Sequence, residues 1–441
     1  MPAGRYWLET LGCPKNEVDS DKLVGQLTAQ GYVAADDPTD ADLVVVNTCA
    51  FIEAAREESV ETILALSDIR AQGSRLVVTG CMAERYGQEL ADSLPEVDLV
   101  AGFGEDLIQP ASVRVAIGRR PDTRAEASLL ELPRTAAAGP WAYVKVAEGC
   151  DRRCGFCAIP SFRGDQRSRS GPSVLAEIEA LADGGTREAV LIAQDLASWG
   201  LDRRASGEAL DVLDERQPGV QPLVSLVGQA AQAIERVRLL YLYPSGLTEG
   251  LIEAILATGV PYFDLSLQHA SASHLRRMRR WGGGERFLER IAAIRAAEPT
   301  SSFRSSFIVG YPGETEADHD ELLEFLDEAQ LDWAGFFAFS PEEGTYAAGL
   351  DGQVPASLVA ERLAEVTERQ DQITAIKRDD KVGAILTVLV DEPGIARSTA
   401  EAPEIDGVII VPDSLEAGTM VDVEIVASLG TDLEAVVRAR P

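Results

Sequence analysis

The chain has 441 residues with 40 basic and 72 acidic side chains, a net charge of -32 at neutral pH, so its surface as a whole repels nucleic acid and attracts basic partners. No stretch approaches the roughly 18 uninterrupted apolar residues of a membrane span, and residues 1–10 lack a charged segment leading into an apolar run, which predicts a cytoplasmic protein with no membrane anchor. Six cysteines are too few for a disulfide scaffold and point to thiols with individual tasks in a reducing compartment, on a chain long enough for two to four domains at about 100 to 200 residues each.

Residues 1–110 read as an α/β domain on a parallel sheet. Apolar strand candidates at 6–10, 42–48 and 75–79 are each followed by a stretch of helical pattern or composition, and 98–103 adds a fourth. Cys13, Cys49 and Cys81 come directly after the first three. All three therefore belong at the carboxyl edge of one sheet, where open α/β sheets hold their ligands. Their spacings, 36 and 32 residues, carry no linear motif, but one βα repeat separates ligands on neighbouring strand ends. Gly12 and Gly80 precede two of them and permit the close backbone approach that a bulky group demands. The competing reading, three small buried hydrophobes, needs the same topological coincidence three times. Residues 111–140 show no sustained period and read as a linker.

Residues 141–376 hold six strand candidates, at 141–147, 189–193, 237–243, 262–267, 303–309 and 332–339, most of them separated by helical stretches such as 172–182, 248–257 and 284–297. Six βα units predict a partial (βα)6 barrel with its active site at the carboxyl ends of the strands. Directly after the first strand come Cys150, Cys154 and Cys157, four and then three residues apart. Three thiolates in one tight loop can grip a metal centre from one side. They are one ligand short of a closed zinc site or a fully ligated iron–sulfur cube, and such a cube keeps one iron open to a guest. A zinc knuckle completed from elsewhere is the alternative, although zinc pairs usually repeat C-x-x-C; the odd count disfavours a disulfide loop.

Polar residues at the other strand ends are candidates for holding a cofactor: Gln194 and Asp195 after the second strand, Ser266 and Gln268 on or after the fourth, and Ser306, Ile308 and Gly310 around the fifth. Helix capping and turn duty compete with that role. His269 sits by a strand end, whereas His274 and His319 have polar, surface-like surroundings; surface or structural use is expected of all three. The run from His274 to Trp281, with four arginines, is the one basic run of the chain. It reads as a solvated helix end, with contact to RNA phosphate or to an acidic substrate as the alternative. The stretch 201–235, rich in Gly, Ala and acidic residues, is assigned no function. A helix capped by Ser357 and carrying Val359, Leu363, Val366 and Ile373, with Gln370 interrupting, reads as a strut on the barrel.

Residues 377–441 break into short strands at 385–390, 408–411, 421–425 and 433–437, as in a small β-barrel. Residues 378–441 carry 5 basic and 13 acidic side chains, the wrong sign for a grip on RNA phosphates. A basic protein is the better partner.

The cysteine loop, with Phe156 before its last cysteine, resembles the signature of the radical S-adenosylmethionine enzymes. That resemblance implies a 4Fe-4S cluster on Cys150, Cys154 and Cys157 whose open iron binds S-adenosylmethionine, with Phe156, Gln194, Gln268, Ser306 and Ile308 as cofactor contacts. Leu11-Gly-Cys13-Pro-Lys-Asn16, Asn47-Thr-Cys49 with the residues up to Ser59, and Thr79-Gly-Cys81 are similar to the amino-terminal domain of the methylthiotransferases, which binds a second 4Fe-4S cluster. Segments 159–164, 239–246, 267–271, 308–315 and 339–345 resemble the same family, and 396–398 with 402–407 its terminal TRAM module, so the likeness spans nearly the whole chain. Pro14-Lys15-Asn16 and residues 51–59 resemble the branch acting on an aspartate of a ribosomal protein; the transfer RNA branch usually has glutamine in place of Pro14. The resemblance implies a methylthio group placed on the β-carbon of an aspartate in the small-subunit ribosomal protein numbered twelve. It also implies sulfur from the cluster on Cys13, Cys49 and Cys81, an electron donor, and no side chain acting as acid or base. The alternatives are the same reaction on an adenosine of transfer RNA, and a non-catalytic RNA-binding protein with structural zinc.

Overall fold

The computed structural model describes residues 3–109, 113–116, 129–132, 134, 139–210, 212 and 220–438, in two compact units. The first begins with β1 (Gly4–Thr10), α1 (Pro14–Ala29), β2 (Tyr32–Ala34), β3 (Leu43–Thr48), α2 (Glu53–Ile69), β4 (Arg75–Gly80), α3 (Cys81–Ser93), β5 (Leu99–Ala101) and β6 (Val115–Ala116). The six strands form one sheet in the order β2-β1-β3-β4-β5-β6, parallel throughout. The sequence Leu43-Val-Val-Val-Asn-Thr48 is buried at every position, as a strand covered by helices on both faces must be. Val44, Val46 and Val78 pack against Ile63, Leu66 and Leu90 on one face, and Leu43, Val45 and Val77 against Leu23 and Leu27 on the other. Each such side chain contributes about 1.5–3 kcal/mol by leaving water. Register pairs Thr10 with Asn47 and Thr48 with Gly80, so the three cysteine-bearing strands end level. The stretch read as a linker supplies β6 and a short turn at Leu129–Glu131, where the Lys22 ammonium donates to the Leu130 carbonyl. Residues 110–112, 117–128, 133 and 135–138 lie outside the described residues.

After β7 (Trp141–Lys145), residues 147–151 and 158–169 group with the amino-terminal sheet rather than with the barrel. There β8 (Ala147–Glu148) pairs antiparallel with β9 (Arg167–Ser168), and α4 (Ile159–Phe162), between them in sequence, seats Phe162 in the core that holds Leu90.

The second unit continues through α5 (Gly171–Asp183), β10 (Glu188–Ile192), α6 (Leu201–Ser206), α7 (Pro222–Ala233), β11 (Arg236–Leu239), α8 (Glu249–Ala257), β12 (Tyr262–Gln268), α9 (Ala272–Arg277), α10 (Gly284–Ala297), β13 (Ser302–Val309), α11 (Glu316–Ala329) and β14 (Trp333–Ala338). Strands β7, β10 and β11 form one parallel half and β12, β13 and β14 the other. Leu242 joins the halves, donating to the Asp264 carbonyl (3.0 Å) and accepting from the Ser266 amide (3.0 Å), which gives the six-stranded open parallel barrel expected. Residues 211 and 213–219, within the stretch assigned no function, lie outside the described residues.

Helix α12 (Ala356–Asp379) starts after Pro355 with no side-chain cap, so Ser357 lies inside it and is not its cap. Its buried stripe is Arg362, Val366, Gln370, Ile373, Thr374 and Arg378. Gln370 is part of that seam, donating to the Leu331 carbonyl at 2.9 Å, because the loop it meets presents a polar group. The carboxyl-terminal strands β15 (Ile385–Glu392), β16 (Ile395–Arg397), β17 (Ile409–Ile410), β18 (Met420–Leu429) and β19 (Asp432–Val437) close into a barrel around Val388, Val390, Ile409, Val423 and Leu433. Glu188, the first residue of β10, pairs with Arg238 (2.6 Å) and with Arg397 of this small barrel (3.1 Å). The small barrel is thereby fastened at the amino ends of the strands, opposite their carboxyl ends. No helix among the described residues is long and apolar enough to cross a membrane.

Candidate functional site

Cys13 caps α1, Cys49 follows β3 at once, and Cys81 opens α3, so the level strand ends gather three thiols close enough to repel one another when charged. Gly12 has φ +99°, and a Cβ there would lie 2.7 Å from Cys49 Cβ and 3.0 Å from its Sγ; one on Gly80, at φ +91°, would collide with Asn47 and the Thr48 backbone. Both positions demand glycine. Burial pushes the Cys81 thiol up to about 12 and raises that of Cys49, against the pull of Arg163. Such thiols are inert until a metal displaces their protons.

Facing them is a buried cation. Arg163 Nη2 donates to Asn16 Oδ1 (2.6 Å) and to Cys81 Sγ (3.0 Å), while Nη1 donates to both oxygens of Glu148 (2.9 Å each) and to Asp19 (3.3 Å). Asn16 donates in turn to the carbonyls of Leu11 (2.7 Å) and Thr48 (3.0 Å), and Ser59 Oγ accepts from the Cys49 amide at 3.2 Å. Three thiols beside close-approaching glycine backbone and a guanidinium suit an anionic iron–sulfur cluster. Sequence reasoning missed Arg163. It sits in a quoted motif, but 82 residues from Cys81.

In the second cysteine loop Cys150 is buried, Cys154 and Cys157 half-buried. The Cys150 amide donates to the Gly164 carbonyl (3.1 Å) and that of Cys157 to the Cys154 carbonyl (3.2 Å); Gly155 donates to the Met278 carbonyl and accepts from the Ala347 amide, both at 2.8 Å. Arg280 Nη1 donates to Cys154 Sγ at 3.3 Å, and its Nη2 donates to the Ser266 carbonyl. The guanidinium groups of Arg280 and Arg152 both stack on the Tyr243 ring, each 4.0 Å from its centroid, a favourable cation–π arrangement. Arg152 also donates to the buried Asp195 carboxylate at 2.6 Å. The basic run is a solvated helix end except at one position: α9 stops at Arg277, Arg276, Arg277 and Arg279 are exposed, Arg279 turns at φ +55°, and Arg280 goes inward to the sulfur.

The strand-end candidates are placed as follows. Gln194 follows β10, half-buried. Gln268 ends β12 at φ +73°, opposite Phe307 after a register break. Ser306 and Ile308 are half-buried on the face of β13 that alternates with buried Phe307 and Val309. Gln268 thus lies on the strand next to that of Ser306 and Ile308, and Phe156 lies half-buried within the cysteine loop itself.

His274 and His319 are buried, not on the surface, because α9 and α11 turn these positions inward. His319 Nε2 lies 2.9 Å from Glu365, and His269, His274 and Glu314 bring ligand atoms within 4.8 Å of one another. Their hydrogen bonds argue against a metal. His269 Nδ1 accepts from the Ser271 amide at 3.0 Å, so the neutral ring carries its proton on Nε2 and has no lone pair there, whereas a metal-binding histidine donates through its second nitrogen. Glu314 accepts from the Gly310 amide and pairs with Arg362 at 3.3 Å. Burial drives His269 down to about 3 and His274 to about 4. Below the ordinary histidine value of about 6.5 the unfolded chain takes up protons that the folded chain refuses, so stability falls with pH, by roughly 2 kcal/mol per imidazole between pH 7 and pH 5. Urea unfolding at those two pH values is expected to show His274→Leu losing about half of this loss; an unchanged slope would mean the folded protein charges His274.

Three family descriptions match: Uncharacterized protein family UPF0004 over residues 5–102, Radical SAM superfamily over 144–326 and TRAM domain over 382–437. In fold the chain is similar to the radical S-adenosylmethionine methyltransferase TsrM from Kitasatospora setae (TM-score 0.50, 13% identity, 95% of this chain and 84% of that one). It is 44% identical to the ribosomal protein uS12 methylthiotransferase RimO of Moorella thermoacetica (94% of this chain, 95% of that one). Against the proteins of the same name from Saccharopolyspora erythraea and Cutibacterium acnes it is 42% identical (97% and 94%) and 40% identical (97% of each). With that likeness running end to end through both cysteine triads, the chain belongs to the RimO family of ribosomal protein uS12 methylthiotransferases.

Proposed function

We propose that the protein is a radical S-adenosylmethionine enzyme that adds a methylthio group to the β-carbon of an aspartate in ribosomal protein uS12, working in the cytoplasm with an electron donor. The observation that carries this reading is the end-to-end likeness to the uS12 methylthiotransferases in a chain whose six cysteines fall into two triads, one on level strand ends and one in a single loop. On this reading Cys150, Cys154 and Cys157 hold one 4Fe-4S cluster and Cys13, Cys49 and Cys81 a second. When bound, the clusters and S-adenosylmethionine supply the electron, the radical and the methylated sulfur.

The chain's own residues bind, orient and screen. Arg280 donates to the Cys154 sulfur and offsets its charge. Asp195 holds Arg152, and the Tyr243 ring supports both guanidinium groups. Phe156, Gln194, Gln268, Ser306 and Ile308 are the residues proposed to line S-adenosylmethionine, and no side chain acts as acid or base. The acidic balance of residues 378–441 favours a basic protein substrate over RNA. Intact-mass spectrometry of ribosomal proteins from a deletion strain is expected to show uS12 lighter by one SCH2 unit, with transfer RNA modification intact. The reverse pattern would assign the enzyme to transfer RNA.

A further inference from the structure

We propose that Arg163 is a positioning residue for the amino-terminal cluster: through its N–H to Cys81 Sγ it raises that cluster's reduction potential, and through Glu148 it fastens the segment leading into Cys150 to the same site. This rests on the reading that Cys13, Cys49 and Cys81 hold a cluster. At Nη1 Arg163 meets two carboxylates, Glu148 and Asp19. The other nitrogen, Nη2, is aimed elsewhere, at Asn16 Oδ1 and Cys81 Sγ. Asn16 cannot be turned round, because its amide nitrogen serves the carbonyls of Leu11 and Thr48, and its oxygen therefore faces Arg163. The Phe103 ring lies 4.8 Å from the guanidinium carbon and closes one face. The fork is thus fixed by every neighbour, and one prong of it ends on sulfur.

An N–H donor at a ligating sulfur draws off negative charge and favours the more electron-rich cluster, one of the levers that set such potentials. Lysine keeps the charge but lacks the planar fork needed to serve a carboxylate and a sulfur together.

The test uses the full chain with Cys150, Cys154 and Cys157 all changed to Ala, so that only the amino-terminal cluster remains. After anaerobic reconstitution, iron per chain and the reduced-to-oxidised ratio at a fixed ambient potential are measured by electron paramagnetic resonance. Adding Arg163→Lys is expected to keep roughly four irons and lower the ratio about fivefold or more. The combined Glu148→Gln, Arg163→Met variant, which removes one charge of each sign and so leaves the net charge of the site unchanged, is expected to lower it likewise. An unchanged ratio in either variant overturns the inference while leaving the cluster reading intact. A parent protein that takes up no iron overturns the cluster reading itself, and this inference with it.

Discussion

Protein carrying Cys154→Ala is expected to release no 5′-deoxyadenosine from S-adenosylmethionine, whereas Cys49→Ala is expected to go on releasing it and to stop modifying uS12. Cys154 and Cys49 lie in different compact units, Cys154 beside the barrel-strand ends and Cys49 directly after β3 of the amino-terminal sheet, so the two losses are separable. Cys154 is the thiol to which Arg280 donates, and on the proposed assignment of Cys150, Cys154 and Cys157 as ligands alanine there leaves two of the three and a guanidinium without its sulfur. Changing a partner behind a metal ligand typically costs 10–100-fold, and removing a ligand exceeds that. Each variant is expected to drop from about eight irons per chain to about four. Chromatography of 5′-deoxyadenosine beside mass spectrometry of uS12 reads both activities. A Cys49→Ala enzyme that still transfers sulfur contradicts the division of labour, and undiminished cleavage by Cys154→Ala removes the barrel loop from the chemistry.

What the sequence discloses and what it hides divide along a physical line. Strand β3 is legible because four apolar residues in a row at strand length need cover on two faces, and the cysteine after it inherits its place from the strand end. Each such inference uses neighbours within about ten residues. The buried face of α12 is legible only in part on the same ground: of the apolar positions Val359, Leu363, Val366 and Ile373, the last two lie in it, and so do Arg362, Gln370 and Arg378. Their partners are Glu314, the Leu331 carbonyl and Glu401, none of which a local pattern can announce. Arg280 was visible as part of a basic run, and the left-handed turn at Arg279 decided which way it faced. His274 looked polar and exposed because its neighbours in sequence are; on α9 the exposed arginines at 276 and 277 lie on another side from His274 and Leu275.

Glu188→Ala is expected to destabilise the folded protein by about 3–5 kcal/mol, the range for stranding a buried charge by removing its partner. The carboxylate is wholly buried with Arg238 Nε at 2.6 Å and Arg397 Nη1 at 3.1 Å. Arg397 also holds Asp391 through two bonds of 2.5 and 2.9 Å. Arg236 donates to the carbonyls of Arg397 (3.2 Å) and Thr387 (3.0 Å), so this cluster is where β10 and β11 meet the small carboxyl-terminal barrel. Burial alone would push the carboxyl up, but Arg238, Arg397 and Arg236 together outweigh it and bring the group down to about 2. With the folded value below the unfolded one of about 4.3, the stabilisation is present at neutral pH and disappears as pH falls from about 4.3 toward 2. Guanidinium unfolding followed by tryptophan fluorescence at pH 7 is expected to show the loss in Glu188→Ala. Removing Glu188, Arg238, Arg397 and Asp391 together for uncharged residues of similar volume is expected to restore most of it, since a whole buried ion cluster exchanged for well-packed neutral side chains is often neutral or better. A single variant as stable as the parent would mean that the two arginines reach other acceptors, and a quadruple variant no better than the single one would place the loss in shape instead of charge.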